Sequence, residues 1–202
     1  MAELVDALVS NTNGANRAGS SPALGTKAET ISFCFFIYLI YILKQQDFTI
    51  LHFYFKQHRM TDIKQEKYDR AYLRMALEWA KLSHCKRKQV GALIVKNRMI
   101  ISDGYNGTPS GFENCCEDKQ NETHWYVLHA EANAILKTAS STHDCSGGTV
   151  YLTLSPCKDC SKLVHQAGIK RLVYINKYSD TSGINFLKEA GVEVVEFDKE
   201  KL

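Results

Sequence analysis

Residues 129–135 read HAEANAI and residues 155–160 read SPCKDC. Between them they offer an imidazole, a carboxylate and two thiols. His129 and Glu131 stand two residues apart where an apolar helical pattern begins. Residues so spaced share no face of a straight helix, but both can approach one point beyond its first turn. Cys157 and Cys160, at i and i+3 in the first turn of a second helix, do share a face. The positive end of that helix dipole favours their thiolate forms, which are the forms that bind metal. One histidine and two thiolates form a three-ligand zinc set whose fourth position stays open for water, with Glu131 beside it as an acid/base rather than a ligand. Each motif alone says less. C-x-x-C is also a redox pair, and a glutamate in a first turn is also a partner for the helix dipole. A redox reading, however, leaves His129 and Glu131 without a role.

Periodicity supplies the elements that must hold these groups. Residues 64–83 carry an apolar stripe at helical spacing. QVGALIVK and MIISDGYNG then read as two strands joined by a hairpin at Asn97-Arg98. A helix is expected over 129–139, a strand at GTVYLTL, and a helix over 157–167 with Ser155 as its N-cap and Pro156 in its first turn. RLVYIN, 182–190 and VEVVEF complete the order α-β-β-α-β-α-β-α-β. Strands alternating with helices imply a mainly parallel sheet covered on both faces, with only the first two strands antiparallel.

At 202 residues, 45% hydrophobic and 23% charged, the chain fits one catalytic domain with an appendage. The division falls at Met60: residues 1–59 read as a non-domain extension and 60–202 as the domain. Residues 1–26 are rich in small residues and resemble the conceptual translation of a transfer-RNA gene, so Met60 is the expected start. The apolar run ISFCFFIYLIYIL, 31–43, stops at Lys44. It falls short of the roughly 20 residues a membrane helix needs, and no small-residue cleavage site follows it, so no membrane association is expected. From Met60 onward 20 Lys and Arg face 18 Asp and Glu, a net +2, with Lys86, Arg87 and Lys88 as the one basic cluster. That balance does not suit a nucleic-acid partner, though it allows small anions. Seven cysteines without a secretory signal, four of them in the close pairs Cys115/Cys116 and Cys157/Cys160, indicate metal or redox chemistry in the cytoplasm rather than structural bridges.

His129-Ala130-Glu131 and Pro156-Cys157-Lys158-Asp159-Cys160 match the H-x-E and P-C-x-x-C signature of the zinc-dependent cytidine deaminase superfamily. The whole stretch from Met60 onward resembles that superfamily. Within it, GYNGTPSGFENCCE, HAEANAI, TLSPCKDC, QAGIKRLVY and KYSD are similar to the deoxycytidylate deaminases. The resemblance implies a three-layer α-β-α cytidine-deaminase-like fold with a five-stranded mixed sheet. It implies a catalytic zinc on His129, Cys157 and Cys160, and Glu131 as the proton carrier in hydrolysis of dCMP to dUMP and ammonia, which feeds thymidylate synthesis. Asn106 would contact the sugar or base and Tyr178 the 5′-phosphate, with the 86–88 cluster as an aid. The alternatives are a plain turn at Asn106-Gly107 and solvated charge for at least two of Lys86, Arg87 and Lys88.

Phage-type members carry a second, structural zinc, for which Cys85, Cys115 and His124 are the matching residues. The acidic ligand they place two residues before the catalytic histidine is Val127 here, so Cys116, His84 or Glu117 would have to serve. The plain alternative is free buried thiols. The resemblance also implies a homo-oligomer, often a hexamer, activated by dCTP and inhibited by dTTP. Two other readings stand beside it. One is a tRNA adenosine deaminase, which should show a more basic surface, or another nucleoside or nucleotide deaminase of the superfamily; the other is a zinc-stabilised regulatory scaffold, which would have no need of Glu131.

Overall fold

The computed structural model describes residues 48–202. The small-residue segment and the apolar run at 31–43 lie outside the described residues. The chain divides after His58, leaving Arg59–Leu202 as one compact unit. The elements are α1 (Phe48–Ala80), β1 (Gly91–Lys96), β2 (Met99–Tyr105), α2 (Ala130–Thr138), β3 (Thr149–Leu154), α3 (Lys158–Gln166), β4 (Arg171–Asn176), α4 (Ser182–Glu189) and β5 (Glu193–Glu196), closed by a 3-10 turn at Lys199–Lys201. Among the described residues no helix is long and apolar enough to cross a membrane.

α1 starts well before the expected residue 64. The segment FTILHFYFKQHRMTDI holds neither proline nor glycine, so nothing in it interrupts a helix. Its buried stripe is Asp69, Leu73, Ala76 and Ala80, spaced 4, 3 and 4 residues apart, which is one face of a helix. β1, β3 and β4 are buried nearly end to end, as central strands covered on both faces must be, whereas β2 and β5 are partly exposed edges. The β1–β2 hairpin turns on Asn97 and Arg98, both at positive φ, which matches a two-residue type I′ turn.

The sheet order is β2-β1-β3-β4-β5. β1 runs antiparallel to β2 and also to β3, while β3/β4 and β4/β5 are parallel. One antiparallel pairing was expected and there are two. The crossover through α2 carries the chain from the edge strand β2 past β1, so β1 ends between two neighbours that both oppose it. Leu73 and Ala76 of α1 pack on Leu93, Val95, Tyr151 and Val173 on one face. Ala134, Val164 and Leu187 of α2, α3 and α4 pack on Ala92, Ile94, Val150 and Leu172 on the other. The alternation along β1 supplies both layers, which gives the three-layer fold.

Two glycines set how closely helices approach the sheet. A Cβ on Gly104 would lie 2.7 Å from the Ala134 backbone nitrogen of α2, and one on Gly91 would lie 2.7 Å from Ala80 N of α1. Asp69, the one charge in the buried stripe of α1, accepts from Arg171 Nη1 and Nη2 at 2.8 and 2.9 Å and from the Tyr151 hydroxyl at 2.8 Å. The pair fastens α1 to β3 and β4, and every polar atom of it that is buried by folding has a partner.

Candidate active site and metal centre

A cleft of about 320 Å³ opens where the carboxyl ends of β2 and β3 meet the amino ends of α2 and α3. His129 and Cys157 are the N-cap residues of α2 and α3, both in extended backbone, and neither side chain caps its own helix. Histidine and cysteine are poor choices for a cap. Two such residues at two neighbouring helix ends indicate that their side chains serve something else.

They face each other. His129 Nδ1 lies 3.6 Å from Cys157 Sγ and 3.4 Å from Cys160 Sγ. The three ligand atoms all fall within 4.8 Å of one another, the one such group among the described residues. Hydrogen bonds from the Cys160 thiol and from His129 push Cys157 down to about 3, so this sulfur is a thiolate at neutral pH. The same thiolate, together with burial, drives Cys160 well up, and it raises His129. A nitrogen and two sulfurs converging on one point, one already anionic, fit zinc in a three-protein-ligand site. Glu131 lies in the first turn of α2 and is only 4% exposed, and burial pushes its carboxyl up.

The remaining expected residues distribute unevenly. Tyr178 lines the cleft, with its backbone N–H donated to Ser155 Oγ at 2.8 Å and Lys88 Nζ 5.0 Å above its ring. Asn106 also lines it, but its carboxamide is engaged with backbone. Oδ1 accepts from Val90 N and Nδ2 donates to Lys88 O, each at 2.8 Å. Asn106-Gly107 is not a turn, since Gly107 is bridged to Leu128 and the chain first turns at Ser110-Gly111.

The second metal set is not assembled. Cys85 is bonded to Cys116, Cys115 remains an exposed free thiol, and the His124 ring stacks on Tyr126. A disulfide sulfur has no thiolate to offer a metal. The expectation that the close cysteine pairs exclude structural bridges is corrected at the same point. The 107–127 loop takes its order instead from that bond and from a small hairpin around Asp118, whose carboxylate accepts from Gln120 N and Glu122 N.

Ser155 is likewise not the cap of α3: Cys157 holds that position, the helix starts at Lys158, and the serine hydroxyl accepts from Tyr178 N. Two residues at the cleft were not singled out for it from the sequence. One is Ser155 in this role. The other is Glu117, considered above only as a metal ligand, which is 7% exposed and accepts from Lys86 N and Arg87 N. A buried carboxylate in a polar loop has no periodic signal to announce it.

Residues 66–176 match the model of the cytidine and deoxycytidylate deaminase zinc-binding region. A deoxycytidylate deaminase from Mus musculus is 35% identical over 68% of this chain and 87% of its own length. One from Enterobacteria phage T4 is 34% identical over 59% of this chain and 84% of its own. Among solved structures, the dCMP deaminase of cyanophage S-TIM5 in complex with dCMP and dUMP aligns with a TM-score of 0.62 at 46% identity, covering 67% of this chain and 97% of that one. With the matched region spanning both helix ends that carry His129, Cys157 and Cys160, the chain belongs to the cytidine and deoxycytidylate deaminase family.

Proposed function

We propose that the protein hydrolyses dCMP to dUMP and ammonia, with His129, Cys157 and Cys160 holding a catalytic zinc and Glu131 carrying the proton. The observation that bears most weight is the buried Glu131 carboxylate beside a His/Cys/Cys set at two helix ends, in a chain 46% identical to a dCMP deaminase crystallised with dCMP and dUMP. Zinc, when bound there, supplies a Lewis acid that brings the pKa of a water near 7.

Glu131 supplies the rest of the proton chemistry. Its carboxylate takes a proton from the attacking water and delivers it to N3 of the pyrimidine as the water oxygen bonds to C4. It then moves the second proton to the exocyclic amine as the C4–N4 bond breaks and ammonia leaves. Its near-complete burial keeps bulk water from competing for those protons. Tyr178, Arg87 and Lys88 line the same cleft and suit the 5′-phosphate. The same reading includes a cytoplasmic homo-oligomer, expected to be a hexamer, with dCTP as activator and dTTP as inhibitor. Light scattering with and without dCTP, alongside initial rates, tests that part.

Substrate choice is tested by following ammonia release from dCMP, dCTP, deoxycytidine and an adenosine-bearing anticodon stem-loop. Turnover of dCMP well above the others supports the reading. Turnover of the RNA with none of dCMP would replace it with a tRNA deaminase.

A further inference from the structure

The cleft contains two lysine or arginine side chains, Arg87 and Lys88, and both belong to the segment between α1 and β1. A 5′-phosphate entering the cleft of one chain meets its cations there, Lys88 over the Tyr178 ring and Arg87 with its Nη1 3.4 Å from the exposed Glu122 carboxylate, a partner that the phosphate would displace. That segment has no secondary structure of its own, so something must hold it in place. Asn106 brackets one side, through Lys88 O and Val90 N.

Glu117 brackets the other. Its Oε1 accepts from Lys86 N at 3.0 Å and from Arg87 N at 3.1 Å, and the residue is 7% exposed. Two charge-assisted hydrogen bonds to consecutive backbone amides fix the peptide planes from which the Arg87 and Lys88 side chains depart. The carboxylate belongs to the 116–124 hairpin, which is remote in sequence from the segment it holds. The neighbouring Cys85–Cys116 bond joins the same two segments, so the Glu117 contacts are not needed merely to keep them adjacent. What they add is the orientation of the two amides.

We infer that Glu117 is the positioning residue for the phosphate end of the substrate: its carboxylate orients the 86–88 segment so that Arg87 and Lys88 meet the nucleotide's phosphate. The inference rests on the proposed function, which wild-type turnover of dCMP tests before any substitution is made. A residue that served only to stabilise the fold would affect phosphorylated and unphosphorylated ligands alike. A positioning residue for the phosphate separates them.

The test uses Glu117→Ala and Glu117→Gln in the full chain, with kcat and KM for dCMP and calorimetric Kd values for dUMP and deoxyuridine. For Glu117→Ala the expected result is a rise in dCMP KM of about tenfold with kcat within about twofold, the loss of about one hydrogen bond to a charged group. The dUMP Kd should weaken by a similar factor, with the deoxyuridine Kd unchanged. Glu117→Gln should recover much of the loss, because its amide oxygen still accepts from both N–H groups. Equal weakening of dUMP and deoxyuridine in both variants, or no change in either ligand, would overturn the inference. Glu117→Gln keeps the side-chain volume and so gives a reading even if the alanine variant does not fold.

Discussion

A close helix-to-sheet contact beside the site gives a prediction that links packing to chemistry. In Gly104→Ala the new Cβ meets the Ala130 carbonyl oxygen most closely and falls 2.7 Å from Ala134 N and 3.1 Å from Ala134 Cα, all backbone atoms of α2. Ordinary contact needs about 3.5 Å, so α2 must retreat by roughly 1 Å. Glu131 sits in the first turn of that helix, and His129 is its N-cap. Displacement of reacting groups by about 1 Å is worth roughly 10²-fold in rate, whereas overpacking costs about 1–3 kcal/mol of stability. Gly91→Ala is the matched control. Its Cβ meets the Ala76 carbonyl oxygen most closely and lies 2.7 Å from Ala80 N, on the opposite face of the sheet, against α1. Both variants should lose similar stability in urea, but with saturating dCMP and zinc only Gly104→Ala should lose kcat, by about 10²-fold, with Gly91→Ala within about threefold. Equal kcat losses in the two, or a wild-type kcat in a folded Gly104→Ala, would refute the reasoning.

Other outcomes follow from the same contacts. Asp69→Asn leaves Arg171, whose side chain is 15% exposed, without its bidentate carboxylate; unfolding in urea should show a loss of about 3 kcal/mol, and a loss below about 1 kcal/mol would mean the buried pair fastens little. Metal analysis should find one zinc per chain in the wild type, and Cys157→Ser should lower that figure steeply. Cys85→Ser should leave zinc unchanged and, because the Cys85–Cys116 bond spans a separation of 31, lower stability by about 3–4 kcal/mol under oxidising conditions. A second zinc equivalent that disappears with Cys85→Ser would show instead that Cys85 serves as a ligand.

The strands and the three later helices were legible in the sequence because the signals are local. Continuous apolar runs such as ALIV and VYL mark central strands, and proline or glycine marks the boundaries. His129 and Cys157 were legible for a different reason: H-x-E and C-x-x-C at two expected helix starts complete a three-ligand zinc set, whereas the N-cap positions of both residues came only with the fold. What stayed hidden depends on chain segments meeting in space. That β3 is the second neighbour of β1 follows from where the α2 crossover lands; the apolar run in GALIVK reports a central strand but not which strand flanks it. Whether Cys85 meets Cys116 or Cys115 turns on the path of the 107–127 loop, which no spacing rule constrains. Asn106 was placed at the cleft, but its two backbone partners at Lys88 and Val90 came only with the fold.

The most direct test of the account compares wild type with Glu131→Gln for dCMP turnover and for bound zinc in the same preparations. The amide keeps the shape of the side chain but cannot carry the proton, while the three ligands are untouched. One zinc per chain is expected in both proteins, with a fall in kcat of about 10²–10⁴-fold in the variant and dUMP still bound. Retention of wild-type kcat would contradict it by removing Glu131 from the chemistry, and loss of zinc from the variant would show that the carboxylate holds the metal site rather than the proton.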